Sequence, residues 1–205
     1  MQSQHEQASP PTAPTPEIGH EQRLCTLVQS SETLMAALRA IRSLGLHSWC
    51  LGAGIIRAMV WDHLHGYREP SSVPDADVAF FDALAPHGLD AQLGQQLSAL
   101  FPGFTWEVVN QAQVHTWYPT VFGQEVAPLT SLVDGLATWP ETATCVGVYL
   151  DRDDRLHIVA PFGLSDLFEM RLRHNPRRVP YEAFMHRVWS KQFLERWPKL
   201  TLCSA

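Results

Sequence analysis

Asp75 and Asp77 stand one residue apart in SSVPDADVAFFD and open an apolar run. Side chains two positions apart on a β-strand face the same way, so both carboxylates are expected on one side. Acids placed like this repel each other and raise each other's pKa unless a cation lies between them. Mg²⁺ suits the arrangement, because it takes few protein carboxylates and completes its shell with water and substrate phosphates. Glu107 sits in the apolar run FTWEVVN, where an unpaired charge is costly. It is a base for an attacking hydroxyl, a further metal ligand, or a solvent-facing residue of an edge strand. Ahead of the acids, Gly52-Ala53-Gly54 separates a short apolar run from a helical pattern. Such a turn lets a backbone approach a phosphate, and the helix start behind it favours anions; it is equally an ordinary strand-to-helix turn. Arg57 falls in the first turn of that helix, where a cation opposes the helix dipole. That placement fits either a bound anion or a surface position.

A D-x-D is weak alone, and the chain contains a second. Asp151 and Asp153 lie in the hydrophilic turn DRDDR, where Asp is common because it bonds its own backbone. His63 and His65 are two apart on a helix and share no face. Asn110, Gln111, Gln113 and His115 follow the Glu107 strand. They would rim a site around Glu107 and read a base or acceptor there, or Asn110 caps a surface helix. Arg171, Arg173, Arg177 and Arg178 form a basic cluster, either a steering patch for a phosphate-bearing acceptor or a solvated loop. Glu141 reads as a local cap or pair, and Trp189 and Trp197 read as core.

The elements that must position these residues alternate early. Ser30 or Ser31 caps a helix with Leu34, Leu38 and Ile41 on one face, ended by Gly45. A short strand spans residues 47–51, and a helix carries Ile55, Ile56, Met59, Val60 and Leu64 to Gly66. A strand then covers 75–81, a helix 89–100 and a strand 104–109. A short helix at 110–117, a helix at 131–139 and a hairpin of 144–150 with 156–160 follow. Helices at 165–171 and 181–197 close the chain. The expected fold is α+β, a small mixed sheet with flanking helices and a C-terminal helical segment. Residues 1–22, rich in Pro, Gln, Ser and Thr, read as a disordered tail before a single domain over 23–205. A net charge of -6 gives no nucleic-acid field and no case for DNA. The four cysteines form no C-x-x-C and no zinc spacing. With no signal peptide and no membrane-length apolar stretch, a cytoplasmic protein with free thiols is expected.

Taken together, these residues resemble the nucleotidyltransferase fold of the polymerase-beta superfamily. AGIIR followed by DADVAFF is similar to GGAVR followed by DIDL in CCA-adding tRNA nucleotidyltransferases. WEVVNQAQVHTW, TWPETATCVGVYL, APFGLSDLFEMRLRHNP and WPKL resemble stretches of a bacterial nucleotidyltransferase-like family, over about Trp49 to Leu200. The resemblance implies Mg²⁺ or Mn²⁺ on Asp75, Asp77 and Glu107. It also implies phosphate contacts from Gly54 and Arg57, and nucleotide binding across Gly52, Ala53 and Gly54. Ala53 stands where the first glycine of the usual pair belongs, unless Gly52 and Ala53 fill the two positions. The implied reaction moves a nucleoside monophosphate from an NTP to a hydroxyl acceptor, which could be RNA, protein or a small molecule. An inactive nucleotide-binding or regulatory protein of the same fold is the alternative, and a toxin-like transferase acting on protein or tRNA is not separable by sequence from the transferase reading itself. A sugar-nucleotide glycosyltransferase also uses D-x-D, but it would carry a longer α/β half before the motif.

Overall fold

The computed structural model describes residues 16–73 and 75–203. Chain order is α1 (Pro16–Ser30), α2 (Glu32–Ser43), β1 (Trp49–Gly52), α3 (Gly54–His65), β2 (Asp75–Phe80), α4 (Leu89–Leu100) and β3 (Thr105–Asn110). Then come α5 (Val114–Phe122), α6 (Leu132–Leu136), β4 (Gly147–Leu150), β5 (Leu156–Val159), α7 (Ser165–Phe168) and β6 (Arg171–Leu172). The C-terminal segment is α8 (Tyr181–Ser190), α9 (Phe193–Arg196) and β7 (Thr201–Leu202).

Among the described residues, five strands form one mixed sheet in the order β3-β2-β1-β4-β5, parallel only between β2 and β3. The α+β expectation of a small mixed sheet flanked by helices holds. Alternation along the strands sorts the two faces. Trp49, Leu51, Val78, Phe80, Val108 and Val148 enter the main core, whose other members include Leu34, Leu38 and Ile41 of α2 and Leu93 and Leu97 of α4. Cys50 and Ala79 face the other way and pack on Leu132 and Leu136 of α6. Asp75 and Asp77 share the face of Ala79 by the same two-residue period, beyond the part that α6 covers.

Local sequence explains the supports. The Ser31 hydroxyl accepts from the Leu34 N–H at 3.3 Å and starts α2. Gly66 ends α3 at φ 72°. α3 is buried on more than one face, with Ile56, Val60 and Trp61 fully enclosed. The reason is that α7 and the C-terminal helices cover the face the sheet does not. Trp61 Nε1 donates to the Leu167 carbonyl at 3.0 Å, and Trp197 Nε1 donates to Asp62 at 2.7 Å. Asp62 also accepts from the Ser71 N–H at 2.7 Å and hydroxyl at 2.6 Å, which fixes the loop leading into β2. Asn175 Nδ2 donates to the Ala137 and Trp139 carbonyls at 2.8 Å each and stitches the C-terminal part to the middle of the chain.

Several expectations need correcting. The tail expected through residue 22 lies outside the described residues up to 15, but α1 begins at Pro16. Leu24 and Val28, four apart, are fully buried, and His20 stacks on Phe168 at 4.8 Å, so tertiary packing holds a helix that composition did not signal. The helix expected at 165–171 stops at Phe168, because Arg171–Leu172 pairs in parallel with Thr201–Leu202. The final helix is broken by Gln192 in the left-handed region at φ 53°. Trp197 is core, whereas Trp189 is 67% exposed.

Ala53 has φ 51° and ψ −119°, a conformation open to glycine and strained for any side chain. The turn is held there because the Ala53 N–H donates to the Val146 carbonyl and its own carbonyl accepts from Arg57, at 3.0 and 3.1 Å. Ala53→Gly is expected to stabilise the protein by about 1 kcal/mol, seen as a rise in Tm of roughly 2–4 °C. An unchanged or lower Tm would show that the turn carries no strain. Gly52 is different: a Cβ there would lie 2.9 Å from the Val146 carbonyl oxygen and 2.9 Å from the Trp139 ring, so packing forbids a side chain.

Candidate active site

β2 and β3 run parallel with Asp77 opposite Glu107 and Asp75 opposite Thr105. Partners in adjacent strands lie about 4.8 Å apart and share a face, so Asp75, Asp77 and Glu107 stand together. They line a cavity of about 180 Å³ with Gly54, Arg57, Ser72, Val73, Arg187, Lys191 and Arg196. One wall is therefore acidic and comes from the sheet, and the opposite wall is basic and comes from the C-terminal segment. Among the described residues, no three acid, His or Cys side chains are grouped tightly enough to make a metal site by themselves.

The Asp77 carboxyl is pushed up from 3.8 to about 6, first by burial and then by the charges of Glu107 and Asp75; the Gly54 N–H and Arg187 pull it back. Its folded pKa exceeds its unfolded value, so the native state binds the extra proton between about pH 4 and pH 6. The Asp77 contribution to the stability of the metal-free protein is expected to fall as pH rises through that window and to level off above it. Denaturant midpoints of the wild type relative to Asp77→Asn in chelator-containing buffer isolate this contribution, and a relative midpoint that rises across the window would contradict the assignment.

Arg57 lies at the cavity floor, 4% exposed. It pairs with Glu141 at 3.7 Å, and its guanidinium carbon sits 4.5 Å from the Phe193 ring centroid and 5.4 Å from those of Trp61 and Trp197. Burial lowers its pKa to about 10 against the pull of Glu141. Its Nε has no hydrogen-bond partner among the described residues. Glu141 is fully buried and accepts from Arg187 Nε through both oxygens, at 3.2 and 3.1 Å. It is no local cap. Gly54 has room for a Cβ, 3.8 Å from Asp77 Oδ2 and from Arg57 Nη2.

The expected rim residues go elsewhere. Asn110 is fully buried and bonds the Asp82 N–H and carbonyl at 3.1 and 2.7 Å. Gln111 packs against Gly135, and Gln113 Nε2 donates to the Ala85 carbonyl at 2.8 Å. His115 does not line the cavity. β3 ends at Asn110, roughly 10 Å past Glu107 at about 3.3 Å per residue, and backbone carbonyls there accept from Asn110, Gln111 and Gln113. The basic cluster is also spent. Arg171 pairs with Glu169 at 2.6 Å, Arg173 with Asp166 at 2.9 Å and Arg177 with Asp134, while Arg178 lies over Tyr118. Asp151 is a turn residue as expected, accepting from the Asp153 and Arg155 N–H groups at 2.9 Å each.

The basic wall of Arg187, Lys191 and Arg196 was missed in the sequence. Its signal was the four-residue spacing of Arg187 and Lys191, which puts them on one helix face. The kink at Gln192 that brings Arg196 back to the same cavity has no sequence signature.

A family model described as nucleotidyltransferase matches residues 39–202. A solved structure described as revealing a CCA-adding enzyme head domain is 28% identical, with a TM-score of 0.73, covering 90% of this chain and 96% of that one. A tRNA-processing enzyme solved with CTP is 18% identical, with a TM-score of 0.46 over 82% of this chain and 43% of that one. A tRNA nucleotidyltransferase complexed with a primer tRNA and an incoming ATP analog is 16% identical, with a TM-score of 0.45 over 82% of this chain and 46% of that one. The chain thus spans less than half of those two enzymes. No curated protein sequence matches. No helix among the described residues is long and apolar enough to cross a membrane. With the family match running from α2 to β7 and through every residue of the acidic wall, the chain belongs to the nucleotidyltransferase family.

Proposed function

We propose that this chain transfers a nucleoside monophosphate from an NTP to an acceptor hydroxyl, with a divalent cation bound at the acidic wall. The observation that carries this reading is the register of Asp77 against Glu107, with Asp75 on the same face. Mg²⁺ or Mn²⁺ suits the donors, because it prefers hard carboxylate oxygens, needs only one or two from the protein, and would offset the charge that burial and the neighbouring Glu107 make unfavourable on Asp77. Asp75, Asp77 and Glu107 would hold it, and when bound it supplies neutralisation of charge on the transferring phosphate.

In the proposed reaction the acceptor oxygen bonds to the α-phosphorus, the bond from that phosphorus to the β-bridging oxygen breaks, and pyrophosphate leaves. Glu107, the most exposed of the three acids, takes the acceptor proton. Gly54 and Arg57 meet the nucleotide at the cavity floor, with Gly52 and Ala53 shaping the turn beneath it. The C-terminal helices line the cavity, so we treat 23–205 as one working unit. The free cysteines suit a reducing cytoplasm.

The acceptor class is RNA, protein or a small molecule. Incubation with α-labelled NTPs, Mg²⁺ or Mn²⁺ and separated pools of cellular RNA, protein and metabolites tests the reading. Label in one pool together with pyrophosphate release is expected. Firm nucleotide binding with no labelled product in any pool would favour a nucleotide-binding regulator of the same fold, for which the non-glycine Ala53 turn is the supporting observation.

A further inference from the structure

The glycine turn has little left to offer a polyphosphate. The Ala53 N–H is engaged by the Val146 carbonyl, and the Gly54 N–H by Asp77. The cations stand on the other side of the cavity. Arg187 spends its Nε on Glu141 and keeps two terminal nitrogens at the cavity. Lys191 lies one helical turn further along. Arg196 is anchored by Nη2 on the Ser72 carbonyl at 2.7 Å, in the loop that enters β2. Beneath them Arg57 keeps an unpartnered Nε while nearly fully buried. One carboxylate, Glu141, serves both Arg57 and Arg187, so this corner carries an unbalanced positive charge facing the acids.

We infer that Arg187, Lys191 and Arg196 form the clamp for the β- and γ-phosphates, with Glu141 as the positioning residue that aims Arg187. Recognition is then of the polyphosphate. Every group of the clamp is a cation suited to phosphate oxygens, so inorganic tripolyphosphate with Mg²⁺ is a ligand in its own right. This inference rests on the transferase reading for the orientation of the nucleotide, with its α-phosphate over the acids.

Calorimetric titration of the full chain with Mg·tripolyphosphate and with each Mg·NTP tests the clamp, and titration with Mn²⁺ alone tests the acidic wall. Arg187→Met and Lys191→Met are each expected to weaken Mg·tripolyphosphate and all four Mg·NTPs on the order of tenfold or more, the scale of a charged hydrogen bond. Both should leave Mn²⁺ binding unchanged or tighter. Arg187→Lys keeps the charge but loses the two-oxygen contact with Glu141, and should recover only part of the affinity. Circular dichroism confirms that each variant is folded, and Arg196→Met gives an independent reading from the other helix. Unchanged tripolyphosphate affinity in folded Arg187→Met and Lys191→Met would overturn the clamp, as would NTP binding by a wild-type protein that ignores tripolyphosphate. Failure of Mn²⁺ to bind while tripolyphosphate binds and responds to the clamp variants would sink the transferase reading and leave the clamp standing.

Discussion

Asp77→Asn is expected to lower turnover on the order of 10³-fold while raising the Tm of the metal-free protein. Both effects come from the same charge. Asp77 is half-buried beside Glu107 and Asp75, and burial with those charges pushes its carboxyl up to about 6; at neutral pH the fold therefore carries an ionised group it would prefer to protonate. The amide is neutral, nearly the same shape, and its oxygen can still accept from the Gly54 N–H. Stability gained and activity lost is the pattern of a residue kept for function. Thermal melts with chelator, paired with label-transfer rates, check both halves. A variant with normal transfer would remove Asp77 from the chemistry, and one with a lowered Tm would show that the carboxylate is a structural group.

Glu141→Gln should cost about 3–5 kcal/mol of folding stability, the usual penalty for leaving buried charge without its partner. Glu141 is fully buried and is the acidic partner of both Arg57 and Arg187. The Arg57 guanidinium lies among Trp61, Phe193 and Trp197, where water cannot replace the lost charge. Glu141→Leu combined with Arg57→Met should recover a large part of the loss, because well-packed apolar groups often match a buried ion pair. Urea midpoints for Glu141→Leu, Arg57→Met and their combination measure the coupling. A single-variant cost below about 1 kcal/mol, typical of exposed pairs, would mean that the two arginines do not depend on this acid.

The contrast between these two residues shows what could be read from the chain. Asp77 announces itself locally, since its partner in the motif is two residues away on a strand whose period is two. Glu107 needed one further fact, that its strand pairs in parallel register with the first, and an acid in an apolar run hinted at it. Glu141 gave no local sign, because its partners are 84 residues before it and 46 after it in the chain. α2, α4 and the hairpin were legible from periodicity, capping and turn chemistry. α1, β6 and β7 were not, because each is short or weakly amphipathic and exists only through a distant neighbour. Asn110 was legible only as a cap: its Oδ1 accepts from the Ala112 N–H at 3.1 Å in the turn after β3, and the rim role failed because its strand carries it away from the acids.

The parallel pairing of β2 and β3 has one more consequence. β3 is an outer strand of the sheet, and β2 is its neighbour there; the chain between the two makes a long excursion through α4. A cation shared by Asp77 and Glu107 would act as a rivet across that seam, joining the sheet's margin to its interior. Ligand occupancy and the cohesion of this outer edge would then be a single equilibrium, so a cation-depleted protein would fray first along β3.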